Sequence, residues 1–108
     1  LYAEVGRGAL VRPESVASAG VPARVGIDPL TGRLLRYGPT GYELAGTSSV
    51  LGPALDAIGH TGAGGGAHGA WPSLRTGFSF LTADLRSQDA DSRATVVLDA
   101  LHAAVSGA

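Results

Sequence analysis

Short apolar, β-compatible runs cover residues 23–27 and 34–37, and the residues between them carry turn chemistry, Asp28-Pro29-Leu30-Thr31-Gly32. Proline presets φ, the Asp28 side chain can accept from the backbone ahead of it, and Gly32 can adopt a positive φ at no steric cost. The pattern predicts a β-hairpin. From Thr47 or Ser48 to Ile58 the period changes, with Val50, Leu51, Ala54, Leu55 and Ile58 at spacings of three and four. That spacing predicts a helix over residues 48–58, opened by a hydroxyl cap and closed by Gly59.

Residues 59–69 then read as a mobile, glycine-dominated loop with His60 and His68 at its ends. Phe78, Phe80, Leu81 and Leu85, with Thr76 and Thr82, predict a strand within residues 74–85 that is buried on at least one face. Ala94, Val97, Leu98, Leu101 and Val105 repeat at three and four, which predicts a second helix capped by Asp89, Asp91 or Ser92. Arg93 and Asp99 fall off that stripe and are expected in solvent. Nearer the start, Ala9-Leu10-Val11-Arg12 before Pro13 reads as an edge strand. The order of elements predicts an α+β fold, a small mixed or antiparallel sheet with two helices packed on one face.

At 108 residues the chain fits one domain, residues 1–108, with one core. A domain of this size buries only about two-thirds of its unfolded surface, so association with copies of itself is expected to help. The formal net charge is −1 and the eight basic residues, all arginine, are dispersed, which gives no footprint for nucleic acid or an anionic membrane. No apolar run is long enough to span a bilayer. The lack of lysine excludes Schiff-base and P-loop chemistry, and the lack of cysteine excludes disulfides, thiolate nucleophiles and cysteine-bound zinc. The chain opens on Leu1, so it is expected to have been trimmed, processed or cut from something longer.

Three motifs have simpler readings. Gly62-Ala63-Gly64-Gly65-Gly66-Ala67 matches the letters of a dinucleotide fingerprint but follows a predicted helix, where no strand feeds the turn. It is read as a connector, and no cofactor is expected. His60 and His68 have no third ligand at a recognisable spacing and are read as surface histidines, with no metal site. Ser79 lacks the second glycine of a nucleophile elbow. Trp71, Phe78 and Phe80 are read as core or interface anchors, and His102 as a partly exposed helix residue.

Two stretches also resemble a known family. Val25-Gly26-Ile27-Asp28-Pro29-Leu30-Thr31-Gly32-Arg33-Leu34-Leu35 is similar to the hairpin of the Rid (YjgF-like) enamine/imine deaminases, G-x-x-x-D-P-x-T-G-x-L/I. Arg75-Thr76-Gly77-Phe78-Ser79-Phe80-Leu81-Thr82-Ala83-Asp84-Leu85 resembles their K-T-x-V-F-L-T-D-L strand with one extra residue. The resemblance covers roughly residues 20–105. It implies a cytoplasmic homo-oligomer, a trimer, whose clefts bind small carboxylate or imine metabolites and hydrolyse enamines and imines to keto acids and ammonia.

In that family an arginine grips the substrate carboxylate, a role suited to a bidentate fork. Arg93-Ala94-Thr95-Val96 has the letters R-x-T-V of the family's late strand, although the helical period wins over residues 94–105. Arg93 is therefore the expected catalytic anchor, with Arg24 or Arg75 as substitute substrate-binding residues. The chain ends before the family's last strands and acidic residue. The alternative expectation is a non-catalytic oligomerisation or lid domain cut from a larger enzyme.

Overall fold

The computed structural model describes residues 1–30, 32–45, 49–87 and 91–107. Two short helices, α1 (Tyr2–Gly6) and α2 (Pro13–Ala19), precede the strands β1 (Arg24–Ile27), β2 (Leu34–Tyr37), β3 (Glu43–Leu44), β4 (Ile58–Thr61), β5 (Ala67–Trp71) and β6 (Thr76–Phe80), and α3 (Arg93–Val105) follows. The strands form one antiparallel meander in the order β1-β2-β3-β4-β5-β6. The architecture is α+β.

The first hairpin forms as its turn residues dictate. Asp28 Oδ1 accepts from the Leu30 N–H at 2.9 Å, Gly32 N–H donates to the Asp28 carbonyl at 2.8 Å, and Gly32 takes φ +70°. Thr31, part of the expected turn, lies outside the described residues. The α3 helix also follows its apolar period, although the packed stripe is narrow: Leu98 is buried, Ala94 and Leu101 pack beside it, and Val97 stays 46% exposed.

Side chains alternate across the sheet, so β5 supplies both faces. Trp71 and Ala67 join Leu51, Ala54, Ala57, Phe78 and Leu98 in a core covered by α3 and by a 3-10 turn, Ser49–Leu51. Ala70, beside Trp71 in sequence, packs on the opposite face with Ile58, Leu44 and Val16, against α1 and α2. Residues 50–57 and α3 therefore lie on one face, whereas Ile58 and the two amino-terminal helices, which the periodicity does not predict, lie on the other.

Four expectations are corrected. The helix over residues 48–58 is a 3-10 turn that breaks at Gly52-Pro53 before β4 opens at Ile58. Gly52 stands at φ +82° with the Trp71 ring against it, a conformation an α-helix does not pass through. Its expected caps, Thr47 and Ser48, lie outside the described residues. The glycine loop is the β4–β5 hairpin, closed by a connection of five residues in which Gly62 N–H donates to the Gly66 carbonyl at 2.9 Å.

The expected edge strand at residues 9–12 is a link between two helices, because Pro13 is the first residue of α2, where its missing N–H costs nothing. The long strand shrinks to Thr76–Phe80, and Leu81 and Leu85 are 78% and 80% exposed.

Candidate functional site

The three arginines expected to grip a carboxylate stand apart. Arg24 lies on β1 and Arg75 immediately before β6, on opposite edges of the sheet. Five inter-strand gaps of about 4.8 Å put roughly 24 Å between those edges. Arg24 borders a shallow depression of about 300 Å³ with Gly26, Asp28, Leu35 and Tyr37. Arg75 is exposed and is the one non-glycine residue with positive φ, 51°, among the described residues.

Arg93 begins α3, and its guanidinium is fully engaged. Nη2 and Nε reach Asp91 at 2.8 and 2.9 Å, Nη1 reaches Asp84 Oδ1 at 2.7 Å, and Nη2 also reaches the Asp84 carbonyl at 3.0 Å. The Asp91 carboxylate is itself 4% exposed and accepts from the Arg93 backbone N–H at 3.1 Å, so it caps the helix from one position upstream of Ser92. Hydrogen bonds from the Arg93 side chain and backbone lower the Asp91 carboxyl from 3.8 to about 2, and they raise Arg93 in turn. Asp84, held mainly by a hydrogen bond from Arg86, is also lowered. The clamp ties the segment after β6 to the start of α3. A substrate carboxylate would have to displace two protein carboxylates to use this fork. Asp89, another expected cap, lies outside the described residues.

A second polar group sits on β4, β5 and β6, where the sequence offered only a loop. His60 and His68 are direct cross-strand partners, as are His68 and Ser79, so all three side chains share one face. His68 Nδ1 and Ser79 Oγ are 2.7 Å apart, and His60 Nδ1–H donates to the Thr61 carbonyl at 2.7 Å. A depression of about 380 Å³ lies beside them, walled by His68, Ser79, Gly77 and Phe78 from the sheet and by Leu1 and Tyr2 from α1. Burial raises the Tyr2 phenol, and the neighbouring Tyr42 adds to it.

On its other side β4 is paired only in part: among the described residues β3 pairs with Gly59 and Ile58, and no strand pairs with the outer edge of β4 at residues 60 and 61. The buried Glu43 fills part of that gap, with Oε2 accepting both the Thr61 N–H and the Thr61 hydroxyl at 3.0 Å. This edge was illegible in sequence because it exists only once the glycine-rich stretch is recognised as a hairpin.

No protein-family model matches the chain, and no curated protein matches it. Among solved structures the chain is similar to a crystal structure described as a novel penicillin-binding protein (PBP) homolog from Caulobacter crescentus, with a TM-score of 0.83 and 21% identity over 95% of this chain. At that identity the likeness establishes a shared α+β fold. The chain spans 29% of the length of that neighbour. No helix among the described residues is long and apolar enough to cross a membrane, and none of their His, Asp and Glu side chains form a group of three or more that could hold a metal.

Proposed function

We propose that the chain is the antiparallel-sheet unit of a penicillin-binding-protein-like protein, and that it binds a small carboxylate of the penicillin type along the outer edge of β4. The observation that carries this reading is the match of 95% of the chain to a PBP homolog at a TM-score of 0.83. The edge supports it locally. An unpaired strand edge is a row of backbone donors and acceptors suited to an extended amide. At Thr61 the N–H and hydroxyl are held by Glu43 and the carbonyl by His60 Nδ1–H, so a ligand pairs there by displacing these side chains.

Titrating a penicillin into the isotopically labelled chain, up to about 10 mM to reach weak affinities, tests this by amide chemical shifts. Shifts centred on residues 59–62 and 43 are expected, and Thr61→Val should remove them. Shifts confined to the β1–β2 hairpin, or none, would sink the reading.

A second reading, Rid-like hydrolysis of enamines or imines by a cytoplasmic trimer, draws on one observation, the β1–β2 hairpin with its Asp28-Pro29 turn. It has less support, because residues 48–58 do not form the expected helix and because Arg93 is bound to two carboxylates. Ammonia release from freshly generated 2-aminoacrylate, above the buffer rate, together with a trimeric mass by light scattering, would favour it over the first.

A further inference from the structure

We infer that His60 and His68 form a two-histidine binding site for a divalent first-row transition metal, Cu2+ in preference to Ni2+ or Zn2+, on the β4–β5 hairpin. The inference does not require a carboxylate ligand on the edge of β4, although His60 shares the Thr61 carbonyl with that edge. Directly opposed residues on adjacent antiparallel strands place their Cβ atoms about 4.5–5.5 Å apart on the same face, within the span two imidazoles need to meet one ion. His60 and His68 are such a pair, and the hairpin on either side of them is fully registered from Ile58↔Ala70 to Thr61↔Ala67.

The hydrogen bonds fix the free nitrogen of His60 and are compatible with the same choice in His68. A carbonyl oxygen only accepts, so His60 Nδ1 carries the proton that bonds the Thr61 carbonyl, and its Nε2 holds the lone pair. His68 Nδ1 faces the Ser79 hydroxyl, which can accept from it and so leave Nε2 of that ring as the ligand. Fixing Nδ1–H by a neighbouring oxygen is how protein metal sites commonly orient imidazole. Gly66 lies beside His68 Nε2, where a Cβ would come into van der Waals contact with that nitrogen. No third His, Asp or Glu joins the pair among the described residues, so water completes the coordination. Imidazole-only ligation with open positions favours Cu2+ by the usual order of first-row affinities.

The test is Cu2+ titration of the tag-free chain, followed by calorimetry and by electron paramagnetic resonance. The parent is expected to show coupling to two imidazole nitrogens, and His60→Gln and His68→Gln are each expected to weaken binding roughly tenfold or more. Ser79→Ala, which removes the oxygen that orients His68, is expected to weaken it by a smaller factor. Both histidines lie on the surface of a paired hairpin, and circular dichroism on each variant checks that the sheet is intact. Coupling to one nitrogen only, or single variants that bind within about twofold of the parent, would overturn the proposal. Because Leu1 lines the depression beside His68, an amino-terminally acetylated chain is the control. Loss of binding on acetylation with both histidines present would also overturn it.

Discussion

The two hairpins of this sheet reverse the usual association of legibility with importance. The β1–β2 hairpin is written plainly in local turn chemistry, yet every residue of β1 is exposed, with Val25 at 55% and Ile27 at 64%. The β4–β5 hairpin looks like a flexible tether in sequence, yet Ile58, Ala67, Ala70 and Trp71 are at most 2% exposed. The difference lies in what glycine does. In β1–β2 a single glycine serves the turn through its positive φ. In β4–β5 Gly59 and Gly69 are paired across the strands, and a Cβ on either would run into the backbone of the other strand. Here glycine is a closeness device, and the Phe78 ring fills the space over Gly69.

The largest effect separating the two regions should come from Trp71→Ala. Its indole is fully buried, packs on Phe78 at 5.0 Å and on His102 at 5.4 Å, and donates to the Leu51 carbonyl at 2.7 Å. Denaturant melts are expected to show a loss of about 3–5 kcal/mol, enough to unfold a marginal domain. Next comes Gly69→Ala, whose new methyl meets the Ile58 carbonyl and the Phe78 ring. It should cost about 1–3 kcal/mol by the same measurement, whereas a glycine that merely lent flexibility would be stabilised by alanine.

The clamp between the segment after β6 and α3 gives a smaller, pH-dependent effect. Asp91 is lowered to about 2 from 3.8, so the unfolded chain takes up its proton first as pH falls. The contribution of the clamp is complete above about pH 4 and is lost as pH drops through the native value near 2. Stability measured across that window should decline in the parent and decline less in Asp91→Asn, which starts lower at neutral pH. Smallest of all, Val25→Thr or Ile27→Thr on β1 should change stability by no more than about 0.5 kcal/mol. A large loss there would mean that the hairpin is covered in solution and would remove the contrast.

What the sequence disclosed follows from the range of the forces involved. The Asp28 to Gly32 turn and the stripe of α3 are decided within a few residues, so they were legible. The helix misread over residues 48–58 arose because Leu51, Ala54 and Ile58 are buried at spacings of three and four, but by successive turns and a strand rather than by one helix face. Gly52 with Pro53 is the local signal against a helix, and Leu55 at 92% exposure marks where the helical stripe fails. The helices α1 and α2 have five and seven residues, too few to show a period or to form unaided. Of the candidate sites, the Arg93 clamp and the His60–His68 pair both depend on register and on contacts across the chain. Residue spacing alone carries neither.

The contact of α1 with β6 also bears on the order in which the chain assembles. Every strand pairs with the next, so the sheet can zip strand by strand, with the β3–β4 connection its longest loop. Closing Tyr2 and Ala3 onto Gly77, by contrast, joins parts of the chain about 75 residues apart and gains little until both β5 and β6 are in place. The amino-terminal helix is therefore a late latch. Mutations such as Gly77→Ala, which keep it from seating, should speed unfolding far more than they slow folding.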